Sequence, residues 1–227
     1  MIKLTNRLKT AASFVRADRV TADVGTDHGY LPAFLVMSGI TTDAIAADIA
    51  QGPLDNARKT VEKYSLGNNI RLILSDGLCN IPHNVDELII CGMGGNLIAD
   101  ILAAAPWIKN ENMHLVLQPM THSQDVRQYL AENGFYIEDE KTCCDDNKNY
   151  IVISAYYNGV CGKKDDFYYL FGDKISPASP TDKAYIGRQY KFLRSRYEGL
   201  LKGGSADTEK YKLLVEKAEK AGFDICE

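Results

Sequence analysis

The chain has 227 residues, of which 45% are hydrophobic and 25% are charged, and its net charge at pH 7 is −4. These values are typical of a globular protein with one sizeable core, and they argue against a disordered or collagen-like chain. The apolar runs are far shorter than the roughly 20 residues that cross a bilayer, and the first residues contain no signal-peptide segment, so we expect a cytoplasmic protein.

The first 132 residues alternate between predicted strands and helices. Short apolar or β-rich runs predict five strands, at residues 20–24, 44–48, 70–74, 87–91 and 114–118. Pro119 is expected to end the fifth of these strands. Residues with helical spacing predict helices over residues 1–15, 28–38, 53–65, 96–104 and 122–132.

Two further predicted strands follow as a hairpin. Residues 135–141 and 150–157 are joined by the turn-rich segment 145–148. Strands that alternate with helices favour a parallel sheet covered by helices on both faces, and the hairpin adds an antiparallel strand. We therefore predict an α/β fold with a doubly wound, seven-stranded, Rossmann-like sheet, which is the pattern of the common methyltransferase fold.

The last third of the chain has a different character. Residues 158–164 resemble a boundary, and beyond Pro180 helices are predicted over residues 182–201 and 206–222. Six apolar residues are expected to form the seam between these two helices: Leu200, Leu201, Leu213, Leu214, Val215 and Ala218. We thus expect an α/β domain over residues 1–160 and a C-terminal α-helical hairpin, a coiled-coil-like domain, over residues 161–227.

Polar and glycine-rich segments follow four of the predicted parallel strands. The first is Asp23-Val24-Gly25-Thr26-Asp27-His28-Gly29-Tyr30, which leads from strand to helix. Asp48 ends the second strand, Asp76-Gly77 follows the third, and Gly92-Met93-Gly94-Gly95 follows the fourth. Because α/β sheets bind ligands at the carboxyl ends of their strands, these segments predict one binding site.

The first segment also indicates which cofactor this site holds. A nicotinamide fold needs G-x-G-x-x-G to bind a pyrophosphate, whereas this chain has G-x-x-x-G with Asp27 inside the loop. A carboxylate there would repel a pyrophosphate but would suit a sulfonium or an ammonium. The pattern therefore favours S-adenosylmethionine, with S-adenosylhomocysteine as product, over a nicotinamide cofactor.

Together these segments make the chain resemble the bacterial tRNA (adenine-22, N1)-methyltransferase family. The resemblance covers residues 1–160 closely and the helical tail by layout only. Matching stretches are Asp23–Pro32, Ala47–Leu54, Ser75–Leu78, Gly92–Gly95, Leu117–Pro119 and, more loosely, Lys148–Tyr150. The family often has Ser and Ala where this chain has Thr26 and Gly29, and both replacements are small.

The resemblance implies methyl transfer to N1 of an adenine in tRNA. It places the cofactor against Asp23, Gly25, Thr26, Asp27, His28, Gly29, Asp48, Ile49, Asp76, Gly77, Gly92, Met93 and Gly94. Asp27 is the first candidate catalytic residue, because a nearby carboxylate stabilises the positive charge that develops on the base. His28 and Tyr30 are second candidates, as polar or stacking contacts. The Asn/Asp-Pro-Pro-aromatic motif of many amine methyltransferases is missing here.

Two basic stretches, residues 1–19 and 181–202, are expected to follow the tRNA backbone. The predicted tRNA contacts are Lys3, Arg7, Lys9, Arg188, Lys191, Arg194 and Arg196. No cysteine or histidine spacing predicts a metal site, and we expect a monomer. Two alternatives stay open: a methyltransferase of the same fold that acts on another RNA or a small molecule, and an RNA-binding protein that holds the cofactor without turnover.

Overall fold

The structure is a computed structural model that describes residues 2–224. Its strands are β1 (Thr21–Val24), β2 (Ala44–Asp48), β3 (Ile70–Leu74), β4 (Glu87–Gly94), β5 (His114–Thr121), β6 (Phe135–Asp145) and β7 (Lys148–Tyr157). Its α-helices are α1 (Asn6–Ala12), α2 (Tyr30–Met37), α3 (Gln51–Lys63), α4 (Gly95–Ala103), α5 (Ser123–Glu132), α6 (Asp166–Phe171), α7 (Pro180–Gly203) and α8 (Thr208–Lys220).

All seven strands form one sheet, in the order β3-β2-β1-β4-β5-β7-β6. The strands β1 to β5 are parallel to one another, and β7 is antiparallel to both of its neighbours. The predicted doubly wound, seven-stranded sheet is therefore confirmed. Because β1 to β5 are parallel, they all end at one side of the sheet, which we call the carboxyl edge.

Helices cover both faces of the sheet, which explains why its strands are apolar at nearly every position. One core cluster lies under α4 and α5 and includes Ile98 and Val126. The other lies under α1, α2 and α3 and includes Ala11, Leu35 and Val61. The odd and even residues of a strand thus enter two different cores.

Several predicted boundaries differ from the structure: β4 continues to Gly94, so it includes most of the glycine segment that was predicted to follow it, and β6 continues to Asp145. Two other differences have a clear physical cause. Pro119 does not end β5, which continues to Thr121, because the pairing with β4 shifts register around Gly92 and a proline is tolerated at such a bulge. The first helix spans Asn6–Ala12 and not residues 1–15. It starts where the Thr5 hydroxyl accepts a hydrogen bond from Leu8 N, a side-chain cap that fixes the first turn.

The seam between α7 and α8 also differs from the prediction. Leu201 and Leu213 are more than half exposed. The residues of α7 that are buried in the same cluster as Leu214 and its neighbours in α8 are instead Ile186, Tyr190 and Leu193. The short helix α6, which was not predicted, packs on the remaining side of this cluster. Contacts between α7 and α8 are therefore not required along the whole length of the two helices.

A buried polar network attaches α6 and α7 to the sheet. Arg127 in α5 is fully buried, and its Nε donates to Glu140 Oε1 at 2.7 Å. Its other nitrogens donate to the backbone oxygens of Tyr169 and Leu170 in α6 and to Tyr185 Oη in α7. Together these four contacts neutralise and satisfy a guanidinium that has no access to water.

Helix α7 runs from the side of the sheet towards its carboxyl edge. Thr181 lies near its start and contacts Thr142 in β6. Two turns further on, Arg188 donates to Asn149 O, beside the β6–β7 turn at the carboxyl edge. The second half of α7 packs on α6 and α8.

Candidate functional site

Four chain segments meet at the carboxyl edge of the sheet. Val24 at the end of β1 is in register with Ala47 in β2 and with Ile90 in β4, and Asp48 is in register with Leu74 in β3. The loops that follow these strands are therefore neighbours. This placement agrees with the single binding site that the sequence predicts.

The loop after β1 depends on two glycines with left-handed backbone angles. Gly25 has φ 83°, and a Cβ there would lie 2.2 Å from the methyl carbon of Met93. Gly29 has φ 63°, and a Cβ there would lie 3.1 Å from Ala57 Cβ. Both positions favour glycine, because it alone adopts this conformation without strain and allows such close approach.

Asp48 presents a carboxylate at the end of β2. Its Oδ1 accepts a hydrogen bond from Ala50 N at 2.8 Å, while Oδ2 has no hydrogen-bond partner within residues 2–224. Ile49, the next residue, is 66% exposed at the same edge. A carboxylate held in this way can accept hydrogen bonds from the hydroxyls of a sugar.

A cleft of about 340 Å³ lies beside the loop after β3. Leu97 and Ile101 form one apolar wall of this cleft, and Asp76 lies in its lining. The ring of His83 stacks on Trp107 at a centroid distance of 4.7 Å, and both rings also line the cleft. A cleft lined by apolar side chains and by the carboxylates of Asp76 and Asp100 suits a heterocycle that carries an amine.

The Gly92–Gly95 segment is held by the side chain of Gln118. Gln118 Oε1 accepts hydrogen bonds from Gly92 N at 3.1 Å and from Arg7 Nη1 at 2.9 Å. At the other end of the segment, a Cβ on Gly95 would lie 2.0 Å from the backbone oxygen of His122. The segment is therefore fixed at both ends, by a side-chain amide and by close backbone packing.

The three candidate catalytic residues lie side by side at the carboxyl edge. The side chain of Asp27 is 72% exposed, and its Oδ2 lies 3.3 Å from His28 Nε2. The rings of His28 and Tyr30 are stacked at a centroid distance of 5.1 Å. An exposed carboxylate and two exposed rings can thus contact a ligand at this edge.

Asp23, by contrast, is buried beneath the same loop. Burial raises the pKa of its carboxyl group to about 6; a hydrogen bond from the Thr26 side chain opposes this rise, and the nearby charge of Asp48 adds to it. The native protein therefore binds a proton at Asp23 more tightly than the unfolded chain does. The stability that this group contributes is present below pH 4 and is lost as the pH rises to about 6.

We expect the variant Asp23→Asn to reveal this pH dependence. Between pH 4.5 and pH 7, the free energy of unfolding of the unmodified protein should fall by about 2 kcal/mol relative to that of the variant. Urea unfolding of both proteins at the two pH values measures this difference. A difference that does not change with pH would contradict the raised pKa.

The predicted tRNA-binding residues lie on two separate elements. Lys3 and Lys9 are exposed near the N-terminus, whereas Arg7 is partly buried against Gln118, near the Tyr150 ring. The others lie on α7 and are exposed: Arg188, Lys191, Arg194 and Arg196. Arg194 forms an ion pair with Glu198 at 3.2 Å. The structure therefore brings Arg7 to the candidate site, and both Arg7 and Arg188 contact residues at the start of β7.

Sequence reasoning assigned no role to three residues of this region. Gln118 was part of a matching stretch, but its contact with Gly92 depends on the register between β4 and β5. His83 and Trp107 come from distant segments, and no spacing in the sequence indicates that their rings stack. In residues 2–224, no group of His, Cys, Asp or Glu side chains is arranged to hold a metal ion, and none of the helices in that range is long and apolar enough to cross a membrane.

Comparisons with known proteins give a consistent result. A family model described as a methyltransferase domain matches residues 4–153. The chain is 31% identical to the tRNA (adenine(22)-N(1))-methyltransferase of Bacillus subtilis, over 96% of this chain and 95% of that protein.

Two solved structures cover nearly the whole chain. Streptococcus pneumoniae Sp1610 in complex with S-adenosyl-L-methionine is 29% identical, with a TM-score of 0.81 over 95% of this chain and 97% of its own. M. capricolum TrmK in complex with S-adenosyl-homocysteine is 26% identical, with a TM-score of 0.78 over 99% of both chains.

Proposed function

Because this chain belongs to the tRNA (adenine(22)-N(1))-methyltransferase family, we propose which of its residues hold the cofactor, contact the target base and bind the tRNA. The protein transfers a methyl group from S-adenosylmethionine to N1 of an adenine in tRNA, and S-adenosylhomocysteine is the second product. The observation that carries the assignment of residues is the exposed Asp27 carboxylate, which lies in a glycine loop at the carboxyl edge.

The cofactor site is assigned to the loops after β1, β2 and β3 and to the Gly92–Gly94 segment at the end of β4. Gly25 allows the backbone to approach the ligand closely, and Asp48 Oδ2 is available to a sugar hydroxyl. The cleft beside Asp76 has the shape and polarity for an adenine ring. These groups fit S-adenosylmethionine, which supplies the electrophilic methyl group when bound.

The target base needs little covalent help from the protein. The lone pair on adenine N1 is free at neutral pH, so no general base has to remove a proton. The methylated base is cationic, and the Asp27 carboxylate stabilises the charge that develops on it. His28 and Tyr30 orient the base by polar and stacking contacts, since their rings are exposed next to Asp27.

The target base also has to leave any base pair before N1 can react. Tyr30 is 44% exposed and is suited to stack on an unpaired base, whereas Tyr150 is buried against the guanidinium of Arg7. We therefore assign the stacking role to Tyr30. Tyr150 packs inside the protein, where its ring lies against the guanidinium of Arg7.

Residues 161–227 are proposed as a helical domain that grips tRNA, beside a catalytic domain of residues 1–160. The position of α7 supports this role, because Arg188 lies beside the β6–β7 turn at the carboxyl edge and the helix carries further exposed cations. Lys191 and Arg196 are among the residues that would contact phosphates. We propose that the protein acts in the cytoplasm as a monomer, which is consistent with the burial of Leu214 and Val215 within the chain.

A methyl-transfer assay tests the function directly. The purified protein is incubated with labelled S-adenosylmethionine and unmodified bacterial tRNA, and the tRNA is digested to nucleosides. We expect the label in 1-methyladenosine. Label in another nucleoside would contradict the target base, and cofactor binding without label in tRNA would point to another RNA or a small molecule as the acceptor.

A further inference from the structure

A second cleft, of about 450 Å³, lies beside the loop that follows β1. Its lining includes three lysines, one amide side chain and the two stacked rings described above. We call it the lysine cleft and define it by Lys3, Lys59, Lys63, Asn56, His28 and Tyr30. None of the roles assigned so far uses its lysines on α3.

The lysine cleft results from the packing of α2 on α3. Gly29 at the start of α2 lies close to the buried residue Ala57 in α3, which brings the loop after β1 against that helix. Asn56, Lys59 and Lys63 follow one another at spacings of three and four residues, so they lie on the same side of α3. The helix therefore presents a row of polar side chains directly beside His28 and Tyr30.

The charge of this cleft is of one sign. Three lysines line it, and no aspartate or glutamate is among its lining residues. The two acidic residues of α3, Asp55 and Glu62, are not among the lining residues, and Asp55 accepts a hydrogen bond from Gln51 at 2.8 Å. Lysines gathered in a concave surface without a carboxylate attract a polyanion, and a nucleic acid backbone is the polyanion that a tRNA-modifying protein meets.

The aromatic rings add a second kind of contact. Tyr30 is 44% exposed and lies parallel to His28, within 14°. Exposed rings beside basic residues are the usual surface on which unpaired bases stack, and stacking accepts any base. The cleft thus combines a surface for a base with cations for the phosphates next to it.

We propose that the lysine cleft binds the nucleotide adjacent to the methylated adenine. Lys59 and Lys63 bind the phosphates of this nucleotide, while Tyr30 stacks on the methylated adenine itself. Because Tyr30 lines the same cleft as the two lysines, neighbouring nucleotides of a single strand can contact both. This inference rests on the proposed function, and it adds a tRNA contact on the opposite side of the site from α7.

The double variant Lys59→Ala/Lys63→Ala tests this proposal. We expect it to weaken tRNA binding by at least about 10-fold and to reduce the slope of log affinity against log salt by about 1.4, since each phosphate contact on a single strand contributes about 0.7. Its affinity for S-adenosylmethionine should not change. Arg58→Ala/Arg71→Ala is the matched control: it removes two exposed cations outside the cleft and should bind tRNA within about 3-fold of the unmodified protein.

Three results would overturn the proposal. Equal losses of tRNA affinity in both double variants would show a general effect of charge. Unchanged tRNA binding in the lysine variant would show that the cleft binds a partner other than RNA. In either case the proposed function still holds if the unmodified protein methylates tRNA. If the unmodified protein neither binds nor methylates tRNA, the proposed function and this inference fail together.

The stacking contact has its own test. Tyr30→Phe keeps an aromatic ring and is expected to keep tRNA affinity, whereas Tyr30→Ala should weaken it by about 10-fold. Both variants are compared by direct binding, so that a change in turnover does not obscure the result. Equal affinities for the two variants would contradict stacking on this residue.

Discussion

Replacing Asp27 with alanine is expected to abolish measurable methyl transfer, with a loss of at least about 100-fold in kcat. The side chain is a carboxylate at the carboxyl edge, next to His28 and at the point where the reacting groups meet in the proposed arrangement. Its negative charge opposes the positive charge that develops on adenine. A neutral residue cannot supply this interaction, so the loss should appear in kcat at saturating cofactor and tRNA.

The isosteric variant Asp27→Asn separates charge from shape. It should be nearly as inactive as Asp27→Ala if charge is the cause, while both variants still bind tRNA. Asp55→Asn, which removes an exposed carboxylate of α3 outside the site, serves as the control and should be fully active. Turnover close to that of the unmodified protein in Asp27→Asn would remove Asp27 from the catalytic role.

Replacing Glu140 with glutamine is expected to lower the free energy of unfolding by about 3–5 kcal/mol. Glu140 and Arg127 form an ion pair whose side chains are both almost fully buried. Once the carboxylate is gone, the guanidinium of Arg127 has no compensating charge and cannot reach water. Because Arg127 also holds backbone oxygens of α6, the change should loosen that helix as well.

Urea unfolding measures this effect, and two comparisons define its cause. Glu198→Gln, which breaks an exposed pair in α7, should cost less than about 1 kcal/mol. The double change Arg127→Met/Glu140→Leu removes both charges and should recover much of the lost stability. A cost below 1 kcal/mol for Glu140→Gln would contradict the isolation of this pair from water.

The strands were the most predictable part of this molecule. β2 and β3 have the predicted bounds because both are continuous β-rich runs between turn signals. The end of β5 was not predictable, since tolerance of Pro119 depends on a bulge in a different strand. Helix α6 has only six residues, too few for a periodic pattern, and the contacts of α7 depend on its presence.

The candidate site was partly predictable for a topological reason. Parallel strands place their ends at one edge, so Asp27 and Asp48 could be assigned to a shared site from the order of strands alone. The burial of Arg127 and Glu140 could not be predicted, because charged residues at helix and strand positions usually face water. The lysine cleft has a helical spacing in the sequence, but a polar row on α3 is equally typical of a solvated helix face.

The attachment of α7 beside the carboxyl edge has a further consequence for how a substrate is chosen. A helix anchored at Tyr185 is a rigid arm, and its residues are spaced by about 1.5 Å along its axis. Lys191 and Arg196 therefore stand at fixed distances from the methyl-transfer site. In the proposed role, α7 selects an RNA by the distance between its target adenine and a second stretch of its phosphate backbone. This selection does not depend on which bases that stretch contains.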